Sequence, residues 1–434
     1  MRSKLISLTT FTLAFGAWAQ EPSRVVDAGV TPDAPLEAAE AQPSLSPGPS
    51  GVTEHAVQPL VPLRPVAVID ERVVIDPGRG LTLRTLDGNY SATVRARAQI
   101  RDTYAHDTLD TNELNVARLR FFFQGNALSP DLKYMVQLGF GATDFETGNA
   151  SPVLDAFIEY TRLRDLNLRA GQFYVPFDRA RTIRESALQF VDRQLVVKEL
   201  TLDRDVGMMA SSGDLFGLGQ RFSYAVFIGG GDGKNRLGPQ MAGALSAVRL
   251  AVKPFGAFDD DVEGDIAREL RPRLAIGLAG AYNVHSSRTQ STFGDTYTLG
   301  TFDYAHAAAD LVFKYGGFSL LTEAVLRRSV NGDVHDSGTV HEYSRSGWGY
   351  FVQAGVMVSR VVEATARWDQ LFAFQGTDPK LLGLVSTQGR QLGGGVNVYL
   401  DGHILKLQAD YFYIWGFAAA PGRHTVRLAV DASF

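Results

Sequence analysis

The chain has 434 residues, a formal net charge of −5 at pH 7 and no cysteine. The missing cysteine excludes a disulfide framework and an acylated lipoprotein anchor, and the small negative balance singles out no partner, nucleic acid included. A 10% aromatic content with 44 glycines fits many strands with small and aromatic outward positions.

At the N-terminus, Arg2 and Lys4 precede an apolar run over 5–15, and Ala17-Trp18-Ala19 supplies a small-residue cleavage site. Residues 1–19 therefore read as a secretory signal peptide. The run is too short to span a bilayer and no later stretch approaches ~20 apolar residues, which excludes helical membrane spans. Residues 20–79 are rich in Pro, Ala, Glu and Ser and lack periodicity. Such a segment buries too little apolar area to offset its ordering entropy and is predicted to be a disordered periplasmic linker.

Order is expected from Gly80, with 80–434 forming one all-β domain. Asp87-Gly88-Asn89 has the chemistry of a hairpin turn that tolerates positive φ. Over 91–101, Ala92, Val94, Ala96, Ala98 and Ile100 alternate with Ser91, Thr93, Arg95, Arg97, Gln99 and Arg101. Period two places these sets on opposite faces of a strand. The same alternation returns over 117–124, 134–140, 154–161, 167–175, 206–212, 222–228, 246–253, 274–284, 305–315, 318–327, 348–357, 363–370, 393–400, 404–413 and 424–434. That makes about sixteen strands of a length that crosses an outer membrane at a tilt.

The connections alternate. Those at 126–131, 162–166, 316–317, 359–362 and 401–402 are short, whereas 141–153, 177–205, 229–244, 285–303, 331–347 and 371–392 are long. This rhythm predicts a transmembrane antiparallel β-barrel with periplasmic turns and external loops. Segment 255–272 breaks the rhythm, being long and acidic where a short turn is expected; it is either a shifted boundary or an insertion. Tyr90, Tyr160, Tyr174, Tyr282, Tyr315, Tyr350, Trp368, Tyr399, Tyr413 and Trp415 sit near strand ends, where interfacial girdles form. The last strand ends on Phe434, read as part of a recognition signal for the barrel-assembly machinery.

If the apolar parity faces outer-membrane lipid, the other parity lines the lumen. Its basic residues are Arg95, Arg97, Arg101, Arg118, Arg120, Lys133, Arg169, Arg249, Lys253, Lys314, Arg327, Arg367, Lys406 and Arg427. The acidic ones are fewer: Asp155, Glu159, Asp310, Glu323, Glu363, Asp369, Asp410 and Asp431. Excess positive charge on low-dielectric walls concentrates anions. Arg95, Arg97, Arg118 and Arg120 fall on neighbouring strands and are expected to form a basic cluster, with Lys133, Arg169 and Arg249 extending the anion-binding wall. Guanidinium groups suit phosphate and carboxylate because they present paired donors and stay charged.

Loop 177–205 is expected to fold inward, its Arg179, Arg181, Arg184 and Arg193 lying at the constriction. Its middle residues Ile183, Ala187, Leu188, Val191 and Leu195 have helix-like spacing. No catalytic group, metal site or cofactor is expected. Only His306 lies mid-strand on the luminal parity, near Asp310, and the acidic run Asp259-Asp260-Asp261 lacks the ordered spacing of a calcium loop.

Gly171-Gln172-Phe173-Tyr174-Val175-Pro176-Phe177, then Arg184-Glu185-Ser186, Asp192-Arg193 and Arg204-Asp205-Val206-Gly207, resemble the third-loop region of the phosphate-selective porin O and P family. The likeness extends to Asp87-Gly88-Asn89, Asp155-Ala156-Phe157-Ile158-Glu159-Tyr160, 229–233 and Gly395-Val396-Asn397-Val398-Tyr399-Leu400. The resemblance implies a sixteen-stranded, homotrimeric outer-membrane porin with an infolded third loop, passing phosphate or polyphosphate along a basic wall. The resulting expectation is a water-filled channel for small anions in the outer membrane of a Gram-negative cell. The alternative is a structural or adhesive barrel with an occluded lumen.

Overall fold

The computed structural model describes residues 67–70, 73–76, 78–146, 151–236, 243–418 and 421–434. The signal peptide and most of the 20–79 segment lie outside the described residues. Two short strands, β1 (Ala67–Asp70) and β2 (Val73–Asp76), nonetheless precede Gly80 and lead into β3 (Gly80–Arg84). Val73-Val74-Ile75 is a β-branched run, which explains strand formation inside a segment read as irregular.

The barrel begins with β4 (Ser91–His106), β5 (Asp110–Asn126), β6 (Leu132–Gly139), β7 (Val153–Leu163) and β8 (Leu166–Tyr174). It continues with β9 (Arg204–Ser212), β10 (Phe222–Gly229), β11 (Ala244–Val252), β12 (Arg273–Ser286), β13 (Phe302–Tyr315) and β14 (Phe318–Ser329). A small loop hairpin, β15 (Val334–Asp336) with β16 (His341–Tyr343), precedes β17 (Gly347–Met357), β18 (Val362–Ala373), β19 (Arg390–Asp401), β20 (Leu405–Trp415) and β21 (Arg423–Ser433). Apart from the loop hairpin and β1 to β3, these sixteen strands form a closed antiparallel barrel, as the alternation predicts.

Closure runs from His424 opposite His106 to Ser433 opposite Arg97. Phe434 and Ala96 then exchange two backbone hydrogen bonds of 2.6 and 2.9 Å. Beyond that point β3 takes over the same edge of β4, with Leu81 opposite Val94 and Arg84 opposite Ser91. The leading hairpin thus covers backbone groups that the closing strand leaves. Its turn holds Gly88 at φ 68°, with the Asp87 carboxylate accepting the Asn89 N–H at 3.1 Å, so a side chain at 88 would be strained.

The two faces follow the parity. Along β21, Val426, Leu428 and Val430 are exposed while Thr425, Arg427 and Asp431 are buried. A bulge interrupts β5: Gln99 pairs with Arg118 but Ile100 with Val116, leaving Ala117 as the extra residue. Ala117, expected outside, is therefore buried, and the outward set changes to Val116 and Leu114. Most of the expected girdle aromatics lie outward, with Tyr90, Tyr160, Tyr282, Tyr315 and Tyr413 exposed. Tyr174 and Tyr399 instead point inward and are buried.

The segment between β11 and β12 is a real insertion, twenty residues long, and it enters the lumen. Phe258 from this segment packs with Ala180, Ile183, Ala187 and Leu188 of the loop after β8, against Val312, Leu321 and Phe351 of the wall. The interior of the barrel is thus built partly from two infolded segments that meet each other.

Candidate functional site: the charged lumen

Loop 175–203 folds inward, but not as one amphipathic helix. It contains only α1 (Arg179–Thr182), a single turn at Glu185–Ala187 and α2 (Leu195–Leu200). Ile183, Ala187, Leu188 and Val191 are buried and Leu195 partly so; Ile183 and Ala187 donate to the loop's own Arg179 and Arg184 carbonyls, whereas other backbone groups of the loop are satisfied by the wall. Ala180 N–H donates to Glu323 at 3.0 Å, Val191 N–H to Asp410 at 2.9 Å and Leu195 N–H to Asp369 at 2.5 Å. Lys406 Nζ donates to the carbonyls of Ser186 and Leu188 at 2.8 and 2.7 Å. Charged acceptors make strong hydrogen bonds, and here they compete successfully with helix formation.

Three of the four arginines predicted to cluster on β4 and β5 converge, and they do so on one loop carboxylate, Glu185. Arg118 lies 3.3 Å from it and Arg97 3.6 Å, Arg120 is closer still, and Arg193 of the loop completes the group at 3.7 Å. Arg97 also donates to Asp431 through Nε at 2.9 Å, and Arg120 pairs with Asp144 at 2.6 Å. Arg95 instead stacks over Phe122 at 4.1 Å.

Beside this cluster is a cavity of about 370 Å³ between the wall, the infolded loop and the neighbouring long loops. Its lining has eight cationic side chains, Arg101, Arg118, Arg120, Arg181, Arg193, Lys198, Arg204 and Lys234, against five carboxylates, Asp144, Glu146, Glu185, Asp192 and Asp203. Three positive charges are therefore in excess. Burial would raise the Asp203 carboxyl, but Arg181, Arg204 and Lys234 hold it below the usual carboxylate range. An additional anion placed here would meet cations already arranged by the fold.

The remaining predicted residues lie elsewhere. Arg179 and Arg249 share Asp310, with Arg179 at 2.5 Å, and Arg179 also reaches Asp260 at 2.6 Å. Arg169 pairs with Glu159 at 2.7 Å and stacks over Phe157 at 4.2 Å. Lys133 lies opposite Glu159 in the strand register. Arg184 approaches Asp259 at 3.9 Å. His306 is near Ser291, 3.1 Å from Nε2 to Oγ, whereas Asp310 engages the two arginines. Sequence reading missed Glu185 as the hub and Lys234 as part of the cavity. It also missed that Arg204 stacks on Tyr174 at 3.7 Å while pairing with Asp155 at 2.9 Å. The Arg-Glu-Ser triplet held the hub in plain view, but no periodicity marks a loop carboxylate as inward.

Residues 89–256 match the family described as phosphate-selective porin O and P. The barrel is similar to that of Salmonella typhi OmpF, solved as a complex with daunomycin, at 14% identity and a TM-score of 0.54 over 81% of this chain and 99% of that one. It is also similar to Pseudomonas putida OprB, at 10% identity and a TM-score of 0.52 over 80% and 95% of the two chains. The outer-membrane channel DcaP of Acinetobacter baumannii gives 13% identity and a TM-score of 0.50 over 81% and 99%. At these identities the structures establish the porin fold alone. No curated protein matches the sequence.

Proposed function

We propose that this outer-membrane barrel, a porin by its family match over 89–256 and by its fold, is a water-filled diffusion channel that favours small anions, with phosphate the leading solute. The observation that carries the reading is the cavity with eight cationic groups against five carboxylates. Phosphate is suited to it because its oxygens can accept from several guanidinium groups at once. Replacing Arg118 and Arg120 together by Ala should move the reversal potential in a salt gradient towards cations and weaken the block of chloride current by phosphate. An unchanged permeability ratio in planar bilayers would count against this reading.

A second reading, a structural or adhesive barrel, draws on the meeting of the two infolded segments inside the lumen. Bilayers that stay silent with wild-type protein would favour it. The homotrimer belongs to the same proposal. An outward apolar hollow of about 410 Å³ beside the seam, lined in part by Ile100, Leu114, Leu407 and Leu428, offers a surface on which a second barrel can pack. Light scattering of detergent-solubilised protein should give three chains per particle; one chain per particle would remove the trimer.

A further inference from the structure

The inserted segment 253–272 contains neither helix nor strand, yet it reaches into the barrel from the end that carries Phe434 and the β3–β4 hairpin. Other connections at that end are as short as the two residues between β13 and β14. Its attachments are mostly ionic or polar. Asp260 meets Arg179 at 2.6 Å and Asp265 meets Arg273 at 2.7 Å, while Lys253, within the segment, pairs with Asp260 at 2.6 Å. Glu263 accepts from the Gln189 N–H at 2.6 Å and from the Gln353 side chain at 2.7 Å. Lys314 donates to the backbone carbonyls of Asp259 and Val262 at 3.0 and 2.6 Å. The Glu263 N–H joins the infolded loop directly, at 3.2 Å from the Ala187 carbonyl.

These contacts have two consequences. The segment occupies luminal volume next to the constriction loop, and its carboxylates neutralise Arg179 and Arg273, which would otherwise face permeating anions. Phe258 and the partly buried Val262 are its apolar anchors in the shared core. No strand ladder ties the segment to the wall, whereas each wall strand is held by a continuous hydrogen-bonded ladder.

We propose that segment 253–272 is a displaceable acidic plug: it limits flow and masks part of the positive lining when docked, and leaves the lumen when the channel passes its full current. The proposal rests on the channel reading above, and the test separates the two. In planar bilayers, protein in which 257–267 is replaced by two glycines should show at least about a threefold higher single-channel conductance, with a reversal potential shifted towards anions.

A tethered variant covers a failure of the shortened chain to fold. A187C combined with E263C, in a chain without native cysteine, joins the plug to the loop on oxidation. Reduction of that same protein should raise conductance about twofold. If wild-type protein conducts while the shortened and the reduced proteins conduct no better than wild-type and oxidised protein, the plug is overturned and the channel reading stands. If wild-type protein is silent and the shortened protein conducts, the plug is supported. If none conducts, both proposals fall.

Discussion

Glu185→Gln is expected to raise the anion-to-cation permeability ratio about thirtyfold, because it removes the negative charge shared by four arginines, a change of about 1 kcal/mol in favour of an anion and as much against a cation ~4 Å away in a water-like medium. Arg97, Arg118, Arg120 and Arg193 all lie within 3.7 Å of that carboxylate. Asp431 and Asp144 would still hold Arg97 and Arg120, so two of the four guanidinium groups keep an acidic partner. Arg193 also keeps its donation to the Ile183 carbonyl at 2.8 Å, which retains the loop near its place. The measurement is the reversal potential in a potassium chloride gradient at fixed pH. A shift towards cations, or none, would mean that the cluster does not face the ion path.

The second large effect concerns how the loop is fastened. Glu199, at the end of α2, accepts from Arg327 at 2.8 Å and from Arg345 at 2.6 and 2.7 Å, and all three side chains are at most 15% exposed. Arg327 is fully buried, and that carboxylate is the charge that balances it. Removing one member of such a buried group typically costs about 3–5 kcal/mol. Glu199→Gln should therefore free the descending arm of the loop while the barrel itself stays closed. Trypsin would then cut after Lys198 at a temperature where wild-type protein is resistant, with the heat-dependent electrophoretic shift of the folded barrel unchanged. Equal resistance of the two proteins would show that Asp369 and the apolar contacts of α2 hold the arm without the ionic group. Loss of the barrel shift would show that loop and barrel unfold together.

These two carboxylates illustrate where sequence reading succeeds and where it stops. Arg97, Arg118 and Arg120 were legible as luminal because period-two alternation assigns a face to each residue of a strand without knowledge of its neighbours. Their partners were not, since Asp431 is 334 positions from Arg97 and becomes its neighbour only when β21 closes on β4. The sequence of 177–205 holds six basic and six acidic residues. That Glu185 gathers four cations depends on how the loop lies against β4 and β5. The helix expected from the spacing of Ile183, Ala187 and Leu188 is cut into single turns, closed by Ile183 and Ala187 on the Arg179 and Arg184 carbonyls, while Ala180, Val191 and Leu195 donate to wall carboxylates instead: the spacing records burial.

Alternating parity and loop rhythm were sufficient by themselves for a sixteen-stranded barrel with a luminal arginine lining. Local chemistry sets those features, because each strand residue faces either lipid or lumen according to its parity. Only the tertiary structure decided that most of the lining is neutralised, that three positive charges remain in excess around one cavity, and that the acidic insertion turns into the barrel. The reason is that electrostatics in an enclosed space depends on distances between groups far apart in the chain, and a Coulomb interaction that is negligible across an extended strand becomes dominant at 3 Å.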